Sequence, residues 1–117
     1  MIRGIHHVAL STGNLARLVA FYRDVLGMEV LYGSEGSGFS SLRPGNTNSV
    51  ILNLEHGQTT TGWGRLIFHV ADVDALWTHL TNLGFEPEKP RNASWGERYF
   101  HLLDPDGHEL SFARPLK

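Results

Sequence analysis

Histidine is the residue type with the widest range of chemistry in this sequence. Imidazole side chains ligate metals, carry protons near neutral pH and bind anions. The 117 residues include seven histidines: His6, His7, His56, His69, His79, His101 and His108. Cysteine is absent, so neither a disulfide nor a thiolate metal ligand is available. Side-chain chemistry therefore rests on imidazole, carboxylate, hydroxyl, amide, amine and guanidinium groups.

The composition is that of a folded protein rather than that of a nucleic-acid-binding or membrane protein. Hydrophobic residues make up 41% of the chain and charged residues 19%, which favours a buried core over disorder. The formal net charge is −2, and no basic stripe indicates a nucleic-acid partner. No run approaches the roughly 18 apolar residues that span a membrane, and the first ten residues do not resemble a signal peptide. We therefore expect a cytoplasmic protein with neither nucleic acid nor membrane as a partner.

The first half of the chain has the pattern of a strand, a helix and three further strands. Asn14 is a good helix N-cap, apolar residues follow it at helical spacing, and Gly27 is suited to end the helix. Strands are predicted over residues 5–11, 28–32, 39–42 and 49–54.

The second half repeats this order at an offset of about 58 residues. Asp72 takes the place of Asn14, and Gly84 that of Gly27. Strands are predicted over residues 65–70, 85–88, 98–103 and 109–113. Each half alone would expose one apolar sheet face, so the two should pair. The expected fold class is α+β: a single domain, 1–117, of two paired βαβββ modules (1–57 and 63–117, linker 58–62) whose curved sheets form a cleft.

Four strings carry a resemblance to a known family. They are GIHHVAL at 4–10, FYRDVLGM at 21–28, IFHVADVD at 67–74 and DPDGH at 104–108. Together they resemble the glyoxalase/bleomycin resistance/extradiol dioxygenase superfamily, also called vicinal oxygen chelate proteins, over almost the whole chain. The resemblance implies a divalent metal (Zn, Ni, Mn or Fe), held in the cleft by the first and last strands of each module. It also implies a homodimer, because many short members pair their modules across subunits.

The ligand positions of that family are mostly changed in this sequence. The first matches His7, a usual ligand. The others match Asn53, Arg65 and Ser111, where histidine or glutamate is usual. A guanidinium is always cationic and would repel a divalent ion. The three-residue Pro-Asp-Gly loop should bring His101 opposite Ser111, so His7 and His101 form the remaining pair of candidate ligands.

The cleft can also be interpreted without a metal. Strand alternation gives a set of inward side chains, namely His7, Asn53, Arg65, His69, His101, Glu109 and Ser111. Arg65 could hold a carboxylate or phosphate through its planar fork, or instead pair with Glu109 as an internal salt bridge. His7 and His101 are the candidates for moving a proton. The aromatic residues Trp63, Trp95 and Tyr99 are predicted near the rim of the cleft.

Three functions fit these residues. The first is a small-molecule-binding protein with an incomplete metal site, no resident cofactor, and an anionic or aromatic ligand. The second is a metal-dependent glyoxalase-like lyase or isomerase, thiol transferase or dioxygenase built on an altered site. The third is a metal-free enzyme with a histidine base. The ligand positions favour the first.

Overall fold

The computed structural model describes residues 1–45 and 47–117. The chain divides into two units, a first unit of Met1–Thr60 and a second unit of Thr61–Lys117. Each unit contains one four-stranded mixed sheet. No helix among the described residues is long and apolar enough to cross a membrane.

The first unit follows the predicted order of strand, helix and three strands. Its elements are β1 (His7–Thr12), α1 (Leu15–Ala20), a π-helical turn (Phe21–Val25), β2 (Met28–Ser34), a 3₁₀ turn (Glu35–Ser37), β3 (Phe39–Pro44) and β4 (Ile51–His56). The sheet order is β1-β4-β3-β2. β1 runs parallel to β4, and the other neighbours are antiparallel. The Asn14 side chain caps α1 by accepting a hydrogen bond from the Arg17 N–H at 3.1 Å.

The helix of the first unit changes to a wider turn after Ala20. The Leu26 N–H donates to the Phe21 carbonyl at 3.0 Å, five residues back, as in a π-helix. Both Phe21 and Tyr22 are buried, although they are adjacent, and their rings meet edge to face at 5.2 Å. The wide turn thus adds a second aromatic ring to the core.

The second unit repeats the arrangement. Its elements are β5 (Arg65–His69), α2 (Val73–Asn82), β6 (Arg91–Asn92), β7 (Glu97–Leu103) and β8 (Glu109–Pro115). The sheet order is β5-β8-β7-β6, with β5 parallel to β8. Phe100 and Phe112 fill the core between sheet and helix at a ring distance of 5.1 Å. The Asp72 side chain caps α2 through the Ala75 N–H.

An ion pair ties the start of α2 to the sheet of the second unit. Arg98 on β7 donates from Nε and Nη2 to the two carboxylate oxygens of Asp74, at 2.8 and 2.7 Å. These hydrogen bonds hold the pKa of Asp74 below its usual value and raise the pKa of Arg98. The paired geometry makes this the fork-to-fork contact typical of arginine and a carboxylate.

The strand predicted over residues 85–88 is wrong. That segment has no regular structure, and the short β6 lies further along, at Arg91–Asn92. Pro87 and Pro90 explain the difference, because proline has no N–H to donate to a sheet. One backbone bond remains, from the Glu88 N–H to the His101 carbonyl at 3.1 Å.

The last hairpin has the turn that the Asp-Pro-Asp-Gly string predicts. The Asp104 N–H donates to the His108 carbonyl at 2.9 Å. The buried Asp104 carboxylate accepts the N–H groups of Asp106 at 2.9 Å and His108 at 3.0 Å. Gly107 takes a left-handed φ of 89°. The Asp104 carboxylate therefore holds this turn together.

The predicted α+β class with two βαβββ units is confirmed. The single-domain organisation with a linker at 58–62 stays a prediction.

Candidate functional site

In each sheet, one face is made of odd-numbered residues from three neighbouring strands. Side chains alternate along a strand, and residues directly opposite each other on neighbouring strands share a face. In the first unit Asn53 lies opposite Ala9 and Ser41. In the second unit Ser111 lies opposite Ile67 and His101. The predicted site residues of each unit therefore fall on one face of its sheet.

In the first unit this face lines an open pocket of about 320 Å³. Its residues come from all four strands: His7, Tyr32, Phe39, Ser41, Ile51, Asn53 and Glu55. The buried Ser41 hydroxyl donates to Asn53 Oδ1 at 2.7 Å, and Asn53 Nδ2 donates to the Glu55 carboxylate. The Asn53 amide is therefore held at both its oxygen and its nitrogen.

His7 lies at the start of β1, opposite Ile51, and is exposed. Its Nδ1 lies 2.8 Å from Nδ1 of His6, and the two rings meet edge to face. A hydrogen bond between two such nitrogens requires that one ring carries the proton and the other accepts it. Nδ1 of His7 is therefore engaged by its neighbour in the chain.

In the second unit the central contact is between His101 and Ser111. His101 Nδ1 and Ser111 Oγ are 2.7 Å apart, across β7 and β8. Ser111 is buried, whereas His101 is half-buried. The predicted facing of these two residues is confirmed by this contact. A hydroxyl in hydrogen-bond contact with an imidazole permits proton transfer between them.

Arg65 is an exposed cation for which the described part of the chain supplies no partner. Glu109 lies directly opposite it on β8. Among residues 1–45 and 47–117, however, the Arg65 guanidinium makes no ion pair or hydrogen bond, with Glu109 or any other group. The alternative of an internal Arg65–Glu109 salt bridge therefore does not describe this structure.

Arg65 and His101 together line two pockets of the second unit. One, of about 340 Å³, also contains Glu88 and Glu109. The other, of about 160 Å³, also contains Trp95, Tyr99 and Ser111. His69 lines neither of these two pockets. It lies opposite Ala113, four residues from Arg65 and so about 13 Å further along β5.

An aromatic wall borders the smaller pocket. Trp95 stacks on Tyr99 at 5.7 Å, and the Tyr99 ring lies 5.2 Å from the His101 ring. Arg91 covers the Tyr99 ring and donates from Nε to its hydroxyl at 2.7 Å. Trp63, the third predicted rim residue, instead donates to the buried His108 at 3.4 Å.

The residues at the family's ligand positions do not fit a divalent metal. The Asn53 amide is occupied at both ends, the Ser111 hydroxyl is bonded to His101, and Arg65 is a cation. The described part of the chain contains no group of three or more histidine, cysteine, aspartate or glutamate side chains that could hold an ion. His7 is the one usual ligand among the four positions.

Five pocket residues of the first unit were not predicted: Tyr32, Phe39, Ser41, Ile51 and Glu55. Alternation along β4 would have placed Glu55 on the same face as Asn53. Tyr32 and Ser41 depend on how β2 and β3 pair, and a β-bulge shifts that pairing between Val30 and Tyr32.

The chain belongs to the Glyoxalase/Bleomycin resistance protein/Dioxygenase superfamily, whose family model matches residues 4–112. The predicted family is thereby confirmed. It is 45% identical over 120 residues to the Metallothiol transferase FosB of Staphylococcus haemolyticus, a match that spans 94% of this chain and 82% of that protein. The Metallothiol transferase FosB of Staphylococcus epidermidis is 26% identical over 120 residues, which again span 94% of this chain and 82% of that protein. The crystal structure of the glyoxalase family protein from Enterococcus faecalis has a TM-score of 0.77 and 27% identity, covering 96% of this chain and 98% of that one.

Proposed function

We propose that the protein binds a small organic anion in its second unit, without a resident metal. The observation that carries this proposal is the Arg65 guanidinium, which has no partner among the described residues and lies at the edge of two pockets. Arginine at this place supplies a fixed positive charge where the family usually has a metal ligand.

The chemistry of the neighbouring residues supports an anionic ligand with an aromatic part. A guanidinium binds a carboxylate, phosphate or phosphonate through two parallel hydrogen bonds. His101 lines the same two pockets and adds a second donor when it is protonated. Trp95 and Tyr99 give a flat surface on which a ring can stack. The three carboxylates of the larger pocket, Glu86, Glu88 and Glu109, disfavour an anion there and a second negative charge beside Arg65, so the smaller pocket is the proposed site.

Benzoate is a suitable probe, since it combines a single negative charge with a ring. We expect saturable binding by isothermal titration calorimetry, with the same Kd in the presence of EDTA. Arg65→Gln should weaken binding at least tenfold, because a charged hydrogen bond contributes about 1.5–3 kcal/mol. Arg3→Gln, which removes a positive charge outside both sheets, should change the Kd less than twofold. Equal binding by Arg65→Gln and the native protein would refute the proposal.

Metal-dependent thiol transfer is the second candidate. The relatives named metallothiol transferases support it, as does His7 at the first ligand position. Elemental analysis of protein purified without a histidine tag separates the two candidates. Stoichiometric Zn, Ni, Mn or Fe in the native protein, lost in His7→Ala, would establish a metal site and replace the metal-free proposal. Substoichiometric metal in both proteins is the result that the anion-binding proposal expects.

We also propose that the chain forms a homodimer in the cytoplasm. Several large apolar side chains of the second unit are strongly exposed, including Ile67 at 65% and Leu103 at 59%. Covering such side chains with a second copy would remove apolar surface from water. Light scattering should give about twice the chain mass of 13.1 kDa. Ile67→Asp should lower that mass at equal concentration, and a monomeric native protein would contradict the dimer.

A further inference from the structure

Glu55 of the first unit is a half-buried carboxylate that contacts no cation of the described residues. It lies on β4 in the open pocket of about 320 Å³. Among residues 1–45 and 47–117, its side chain is paired with the Asn53 amide and with no arginine, lysine or histidine. Partial burial of an uncompensated charge is unfavourable, so a positively charged ligand would be stabilised there.

The orientation of this carboxylate is fixed by hydrogen bonds that begin in the core. Ser41 is 2% exposed and donates its hydroxyl proton to Asn53 Oδ1. The amide nitrogen of Asn53 must then point the other way, toward Glu55 Oε2. Oε2 is thereby occupied, whereas no protein group within the described residues bonds to Oε1. The network thus holds one carboxylate oxygen ready for a ligand.

Two aromatic rings border the same pocket. Phe39 lies directly opposite Glu55 on β3, and its ring is 6.2 Å from that of Tyr32 in an edge-to-face arrangement. Tyr32 is 55% exposed, so its ring is accessible from solvent. The faces of such rings attract cations, and their hydrocarbon surface accepts the apolar part of a ligand.

We propose that the first unit binds a small organic cation, an ammonium group attached to an apolar body. The Glu55 carboxylate accepts the ammonium N–H groups, and Tyr32 and Phe39 contact the apolar part. Glu55 and His7 are too far apart to hold one metal ion, since Glu55 is four residues, or about 13 Å, beyond the residue opposite His7. This site is separate from Arg65, and either proposal can fail without the other.

Benzylammonium and its neutral counterpart benzyl alcohol test the proposal on the native protein. In two-dimensional ¹H–¹⁵N NMR titrations, benzylammonium should bind saturably and shift the amide signals of β3 and β4. Benzyl alcohol should bind at least tenfold more weakly. Raising NaCl from low to high concentration should weaken benzylammonium binding, because salt screens the attraction. Equal affinity for the two probes, or shifts confined to the second unit, would overturn the proposal.

Glu55→Gln removes the charge and keeps an oxygen that can accept the Asn53 N–H. We expect it to lose at least tenfold in affinity for benzylammonium. Glu29→Gln, which removes an exposed carboxylate of the same unit outside this pocket, is the matched control and should leave the affinity unchanged. Unchanged affinity in Glu55→Gln contradicts the assignment. The native comparison of the two probes decides the matter if that variant does not fold.

Discussion

Replacing Ser111 by alanine removes one buried hydroxyl from the middle of the second unit's pocket face. That hydroxyl is 2.7 Å from His101 Nδ1, and Ser111 itself is 4% exposed. A hydrogen bond between neutral groups contributes about 0.5–1.5 kcal/mol net. His101 is half-buried, so water can replace part of the lost contact. We therefore expect Ser111→Ala to lower the free energy of unfolding by about 1 kcal/mol, and Tm by about 4 °C.

A double-mutant cycle isolates this contact from other effects of the substitution. The four proteins are the native chain, Ser111→Ala, His101→Leu and the double variant, unfolded in urea at one protein concentration. The coupling between the two positions should be about 0.5–1.5 kcal/mol. Arg65-dependent binding of benzoate should also weaken in Ser111→Ala, because the imidazole is no longer held. A coupling below about 0.3 kcal/mol, within the ordinary error of additivity, would refute the reasoning.

Three further predictions concern the turn, the ion pair and the metal positions. Asp104→Ala removes a buried carboxylate that accepts two backbone N–H groups, and should lower the free energy of unfolding by about 2 kcal/mol in urea denaturation. Hydrogen bonds from Arg98 lower the pKa of Asp74 in the folded protein. The pair therefore stabilises the fold at pH values above the ordinary aspartate pKa, and this stabilisation is lost as the pH falls through the lowered pKa of the folded state. Asp74→Asn should therefore lose less stability than the native protein when the urea midpoint is followed from pH 5 to pH 3. Arg65→His combined with Ser111→Glu restores usual ligands at two positions, and should raise the bound Ni or Zn found by elemental analysis, whereas either single change should raise it less.

The order of elements could be read from the sequence because its signals are local. Asn14 and Asp72 cap their helices as predicted, and Asp104 holds the last turn. The failure at residues 85–88 was also local: apolar and polar residues alternate there, yet prolines at 87 and 90 remove the donors that a strand needs. In that segment the prolines exclude a strand more strongly than the alternation of apolar and polar residues favours one.

The site could be predicted only in part, because contacts between strands depend on register. The short hairpin loop fixed His101 opposite Ser111, so that pair was predictable. The β-bulge near Tyr32 changed the pairing of β2 with β3, and Gly33 beside it, with a φ of 89°, is the sequence signal that could have indicated it. Whether Arg65 forms an ion pair could not be predicted either, since the carboxylate opposite it on β8 need not pair with it.

In both units, the family's ligand position on the last strand forms a hydrogen bond to the neighbouring strand. This shared arrangement favours hydrogen bonding over metal binding at that position. Asn53 is bonded to Ser41, and Ser111 to His101, each across the equivalent strand pair. The constant offset of 58 residues pairs Asn53 with Ser111 but hides the match of Ser41 with His101, because the β3–β4 connection is longer than the β7–β8 hairpin. A neutral amide or hydroxyl oxygen that is already bonded to its neighbour is a poorer ligand for Zn, Ni or Fe than the usual histidine or glutamate. The change from the usual ligands therefore involves not only the four family positions but also their hydrogen-bond partners on the neighbouring strands, Ser41 and His101.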